Sequence, residues 1–141
     1  MARVFWDTML FVYLMEDDPA FAPRVREVLQ RSCTGGDTLL TSHLAIGEVM
    51  AGIPGDRAKV NEVRTTIDEM GLAALPFVAE CVSKFAHLRS VERLKAPDSI
   101  HLSCASVAGV DLFLTNDNLL LRRKLYIPGI QFIVDFTLPI L

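Results

Sequence analysis

The sequence predicts an α/β fold, a central and mostly parallel sheet with helices on both faces, and three observations lead to it. Short apolar runs of strand character alternate along the chain with longer segments of helical period, which is the pattern of a sheet wound by crossover helices. The runs Val4-Phe5-Trp6 and Leu112-Phe113-Leu114 are apolar throughout, as strands covered on both faces must be. The length of 141 residues with 51% hydrophobic content suits one core, so a single domain over 1–141 is expected and disorder is not.

The elements follow in order. Residues 4–6 form the first strand, and Leu10, Phe11 and Leu14 give the next segment a helical stripe that ends at Asp17-Asp18-Pro19. A helix over 21–30 turns Val25, Val28 and Leu29 inward, and Gly35-Gly36-Asp37 leads into a strand over 39–41. Ser42 reads as the N-cap of a helix that ends near Gly52, with Pro54-Gly55 as punctuation. Val60, Val63, Ile67 and Met70 space a helix over 57–70, and Gly71 sits where a C-cap glycine belongs. A strand over 72–75 precedes a long helix over 78–94, and Pro97 suits the first turn of another that runs to about residue 107. A strand over 112–114, a short helix over 119–124 and a strand over 131–134 complete the chain, with no repeat, low-complexity stretch or linker between them. If the first strand is central and the fourth lies beside it, away from the second, their carboxyl ends meet where the strand order reverses, at the edge where open parallel sheets bind ligands.

A net charge of -3 argues against generic electrostatic capture of nucleic acid and leaves only local clusters of Arg and Lys for that purpose. Cys33, Cys81 and Cys104 form an odd set with neither zinc spacing nor a disulfide pattern, and they read as reduced thiols. Met1-Ala2-Arg3 runs directly into the first strand, and no apolar run approaches a membrane span. The expectation is a soluble, cytoplasmic protein.

Four acids stand in apolar or sharply turning contexts. Asp7 ends the first strand, Asp117 follows Leu112-Phe113-Leu114-Thr115-Asn116, and Glu48 and Asp98 share helical faces with apolar neighbours. Converging carboxylates repel unless a cation joins them, and an all-oxygen set selects a hard ion such as Mg²⁺ or Mn²⁺. Each acid also has a purely structural reading. Asp7 and Asp117 serve as helix caps or turn residues, Asp98 complements a helix dipole, and only Glu48, between Leu44 and Ala51, has a weak one.

Phe5-Trp6-Asp7-Thr8, Ser42 through Glu48, Pro97-Asp98-Ser99-Ile100-His101-Leu102 and Leu114-Thr115-Asn116-Asp117 together resemble the ordered motifs of PIN-domain ribonucleases. The nearest kind is the virulence-associated protein C (VapC) toxins of prokaryotic toxin-antitoxin pairs. The resemblance spans nearly the whole chain and implies a PIN-like three-layer sandwich. It places the catalytic, metal-binding quartet on Asp7, Glu48, Asp98 and Asp117, with Thr115 as the supporting hydroxyl. It also implies Mg²⁺- or Mn²⁺-dependent hydrolysis of an RNA phosphodiester to a 5′-phosphate and a 3′-hydroxyl. Asp7 and Asp98 are then the principal ligands, with Glu48 and Asp117 completing the shell or orienting water. The chain departs from the family where Thr8 replaces a frequent serine, where Pro97 precedes the third acid and where Ser99 follows it; no carboxylate is lost.

The resemblance further implies a cognate antitoxin whose tail lies in an apolar groove, a role suited to the large hydrophobes of residues 11–21 and 49–53. It also implies self-association as a homodimer through a helical face. Other groups read as structural. His43, His87 and His101 lack zinc spacing, His101 reads as a helix residue with a local hydrogen bond, and Arg122-Arg123-Lys124 reads as a solvated helix end. Leu119, Leu120 and Leu121 read as core. Two other classes are weighed. A haloacid-dehalogenase-like phosphatase needs a second acid where this chain has Met9, whereas a noncatalytic α/β binding module and a non-toxin PIN nuclease stay open as alternatives.

Overall fold

The computed structural model describes residues 1–53 and 55–139, and its elements alternate as the sequence predicts. In chain order they are β1 (Arg3–Trp6), α1 (Thr8–Met15), α2 (Ala22–Gly35), β2 (Thr38–Ser42), α3 (His43–Ala51) and α4 (Arg57–Glu69). There follow β3 (Ala73–Leu75), α5 (Cys81–Ser90), α6 (Ala96–Ala108), β4 (Val110–Thr115), α7 (Asn118–Arg122) and β5 (Ile130–Asp135). Pro54, read above as punctuation, lies outside the described residues. No helix among the described residues is long and apolar enough to cross a membrane.

The strands pair in parallel in the order β3-β2-β1-β4-β5. The chain builds outward from β1 to β3 on one side, then returns to lay β4 and β5 on the other, so the order reverses between β1 and β4. Pleating divides β1 between two cores. Val4 and Trp6 pack with Leu10 and Phe11 of α1, Val25 and Val28 of α2, Val49 of α3 and Val63 and Ile67 of α4. Phe5 points to the other face, toward Leu88 of α5, Leu102 and Ala105 of α6 and Leu120 of α7. The result is the three-layer sandwich expected. Phe5 stacks on Phe113 of β4 with ring centroids 4.8 Å apart, a geometry worth about 0.5–1.5 kcal/mol beyond the area it buries.

Three boundaries differ from the sequence reading for identifiable reasons. Helix α2 runs past residue 30 to Gly35 and stops where Gly36 takes a left-handed φ of 71°. The helix expected over 78–94 occupies only Cys81–Ser90. Beyond it, Leu94 turns back to donate its N–H to Leu88 O at 3.0 Å, which buries the Leu94 side chain and puts Arg93 at a φ of 57°. Of the leucines expected in the core, Leu120 is buried but Leu119 is 69% exposed, because a helix as short as Asn118–Arg122 turns only part of its circumference inward. Gly129 is required for close approach: a Cβ there would lie 2.1 Å from Ser106 O.

Candidate active site

Two of the four acids, Asp7 and Asp117, owe their positions to a local capping or strand-end rule. Asp7 follows β1 and N-caps α1, its Oδ1 accepting from Thr8 N–H at 2.8 Å. Asp117 lies two residues beyond β4 and N-caps α7, accepting from the N–H groups of Leu119 and Leu120. The capping roles read from the sequence are therefore real, and they orient the carboxylates at the carboxyl edge of the sheet. Thr115, the last residue of β4, ties these two acids together. Its hydroxyl donates to Asp7 Oδ2 at 2.7 Å and accepts from Asp117 N–H at 3.1 Å.

Asp98 sits in the first turn of α6, where Pro97 is accommodated because the first turn needs no N–H from it. Burial pushes the Asp98 carboxyl above its ordinary range, the charges of Asp7 and then Asp117 push it further, and His101 and Lys95 pull it back. Asp98 is thus within Coulombic reach of both Asp7 and Asp117. Glu48 enters from the middle of α3. Its Oε1 accepts from the Thr8 hydroxyl at 2.7 Å and from His101 Nε2 at 2.8 Å.

The sequence reading missed how much His101 does. The ring is 2% exposed, and its second nitrogen, Nδ1, lies 2.7 Å from Ser42 Oγ. Ser42 Oγ also accepts from Ala45 N–H as the N-cap of α3. Because a carboxylate only accepts, Nε2 carries the N–H that donates to Glu48. One continuous network therefore joins the start of α3, the body of α6 and the start of α1. A usable signal was present: His101 stands three residues after Asp98, on the same face of the helix.

The thiols take no part. Cys81 and Cys104, distant in sequence, come together between α5 and α6, and burial followed by the presence of Cys81 pushes the Cys104 thiol up to about 12. It is fully protonated at neutral pH and no nucleophile.

The donor set suits a hard cation, with one qualification on how it is held. Among the described residues no three carboxylate, imidazole or thiol groups form a ready-made ligand set. Oxygen donors suit a hard divalent ion that keeps some of its waters rather than one caged wholly by protein.

Comparison with protein families matches the PIN domain over residues 4–124. The protein belongs to the PIN-domain family, whose VapC toxin members are nucleases. Among solved structures, similar folds occur in the VapBC2 complex of Rickettsia felis bound to a DNA fragment from its promoter. The identity is 19% and the TM-score 0.70, with 94% of this chain and 97% of that one covered. A toxin-antitoxin complex from Klebsiella pneumoniae gives 16% identity and a TM-score of 0.65, over 93% and 99% of the two chains. VapBC-5 of Mycobacterium tuberculosis, a toxin-antitoxin system, gives 15% identity and a TM-score of 0.59, over 96% and 99%. Comparison with curated proteins gives no match.

Proposed function

We propose that this chain is a Mg²⁺- or Mn²⁺-dependent endoribonuclease and the toxin of a toxin-antitoxin pair, with Asp7, Glu48, Asp98 and Asp117 as its acidic site. The observation that carries the reading is the gathering of acids at the sheet edge: Thr115 ties Asp7 to Asp117, and Asp98, its carboxyl raised by burial and then by those two charges, faces both. Such crowding is unfavourable by itself and becomes favourable when a divalent cation is shared. A bound ion would supply a more acidic water and neutralise charge building on the phosphate. For the chain's part, Asp7 and Asp98 hold the ion, Asp117 bounds the site from β4, and Glu48 keeps one oxygen on Thr8 and His101 while the other stays free to orient water.

The partner reading has its own support. A cleft of about 440 Å³ between α1, α3 and α4 is walled by Val12, Met15, Val49, Ile53 and Val63 and ends at Glu48. We read it as the groove for an antitoxin tail, with a basic side chain of the tail reaching the acidic site; the free chain self-associates as a homodimer.

Purified protein incubated with single-stranded RNA should cleave it in Mg²⁺ and leave 5′-phosphate ends. Chelation should stop the reaction, and Asp7→Asn, which keeps the shape and the cap, should lose it. Full activity in Asp7→Asn would sink the site. The rival reading, a noncatalytic binding module, draws on the lack of a ready-made ligand set among the described residues; it predicts RNA or protein binding with no turnover in any metal.

A further inference from the structure

A second cleft, of about 280 Å³, opens on the α6 side of the acids. It is lined by Asp98 and Asp117, by Arg93, Lys95 and Arg123, and by Leu94, Leu119 and Leu120. Its cations come from two segments about thirty residues apart, 93–95 and 122–124, which together hold five of the chain's 14 lysines and arginines. Three of those five, Arg93, Lys95 and Arg123, line the cleft, in a chain of net charge -3.

Among the described residues, four of the chain's 14 lysines and arginines are ion-paired, one of them the cleft's own Arg123. Arg24 and Arg31 pair with Glu27, Arg26 pairs with Asp17, and Arg123 pairs with Glu92 at 3.1 Å. Among the described residues, Arg93 and Lys95 have no carboxylate within 4.0 Å, although two acids line the same cleft. The backbone that carries Arg93 and Lys95 is pinned: Arg89 donates to Leu94 O at 2.9 Å, Arg123 donates to Glu92 O, and between these pins Arg93 takes the left-handed conformation. A non-glycine residue stays there only when its surroundings over-determine it. Leu119, 69% exposed on the rim, adds an apolar surface.

We infer that this cleft is a nucleotide subsite, which seats one nucleotide of a single-stranded RNA beside the cleaved bond, its phosphate between Arg93 and Lys95 and its base against Leu119. The inference rests on the nuclease reading and deepens it. The acids bind cations and repel phosphate, so an RNA strand needs positive charge immediately next to them; the cleft provides it at the scale of one nucleotide. Phosphate contacts position a strand without reading its sequence, whereas the base contact is apolar and tolerant.

The test measures RNA binding apart from turnover. In an Asp7→Asn background, fluorescence anisotropy with a labelled single-stranded RNA should show Arg93→Gln/Lys95→Gln weakening binding by about tenfold. The slope of log affinity against log salt should fall by about 1.4, two contacts at about 0.7 each. Leu119→Ala should weaken binding and leave that slope unchanged. Arg26→Gln, removing a cation already paired elsewhere, is the control, and equal melting temperatures establish that the variants fold. With Asp7 intact, the double variant should raise KM and hold kcat within about twofold. Competition by 5′- and 3′-nucleoside monophosphates should report which side of the cut the subsite holds. Unchanged affinity and salt slope in the double variant overturns the subsite even where cleavage is robust, as would be found if the patch instead docks an acidic protein segment. Binding that depends on Arg93 and Lys95 in a chain that never cleaves supports the subsite and removes the nuclease reading.

Discussion

On the α3 side of the site, Glu48 accepts two hydrogen bonds on one oxygen, from Thr8 and from a buried histidine itself fixed by Ser42. On the α6 side, Asp98 has no hydrogen bond to its carboxylate among the described residues and has a carboxyl raised by burial and by Asp7 and Asp117. The first half is organised by the protein alone. The second is left short of a positive partner. Reaction sites must hold some groups rigidly while keeping others unsatisfied until a ligand arrives, and in the proposed site the two duties would fall on separate acids.

That contrast breaks most readily at Asp98. Asp98→Asn should lower metal-dependent RNA cleavage by more than the roughly 10–100-fold that loss of an outer-shell partner costs. Single-turnover rates over a Mg²⁺ titration measure it, and a loss under tenfold would mean that the bare half is not where the ion sits.

The organised half should fail more gently. His101→Leu removes the donor to Glu48 and strands Ser42, so the metal concentration for half-maximal activity should rise about 10–100-fold, with stability falling by about 1–3 kcal/mol. Mn²⁺ binding followed by electron paramagnetic resonance separates the two effects. His101→Gln, which keeps an N–H donor, should recover metal affinity in part; equal affinity in both variants would reduce His101 to packing.

Between the two halves, Thr115 stitches Asp7 to Asp117. Thr115→Val keeps the shape but removes the donor, so a loss of about 1–3 kcal/mol is expected, read by urea denaturation. Thr115→Ser should retain most of that stability.

The smallest effect tests the sign of the charge crowding. Because the folded Asp98 carboxyl lies above its ordinary value, the folded state binds its proton more tightly than the unfolded chain. In chelator this acid therefore weakens the fold as pH rises through its folded pKa, and the penalty is complete above that pKa. Asp98→Asn should raise the metal-free melting temperature by up to a few degrees at pH 7 and lose that advantage below the unfolded pKa. Mg²⁺ should stabilise the unmutated chain, by about 2.7 kcal/mol at 100 times its Kd, and the variant by much less. A lower melting temperature for metal-free Asp98→Asn at pH 7 would show that the acids do not crowd one another.

Sequence alone determined the alternation of strands and helices, the two-faced burial of β1 and β4 and the strand-end positions of Asp7, Thr115 and Asp117, because periodicity, capping and strand-end chemistry are local. It also marked all four acids, through context and resemblance. The parallel order β3-β2-β1-β4-β5, which brings β1 against β4, was readable only as a condition, since strand order depends on contacts between segments far apart in the chain. Tertiary structure decided the rest. It folded residues 91–95 back as a loop, because burying Leu94 and bonding it to Leu88 outweighed the helical pattern. It brought Arg93 and Lys95 beside α7, and it turned a histidine that looked like an ordinary helix residue into the link between Ser42 and Glu48. A hydrogen bond between residues 53 or 59 positions apart leaves no period in the sequence; only the packing of α3 against α6 creates it.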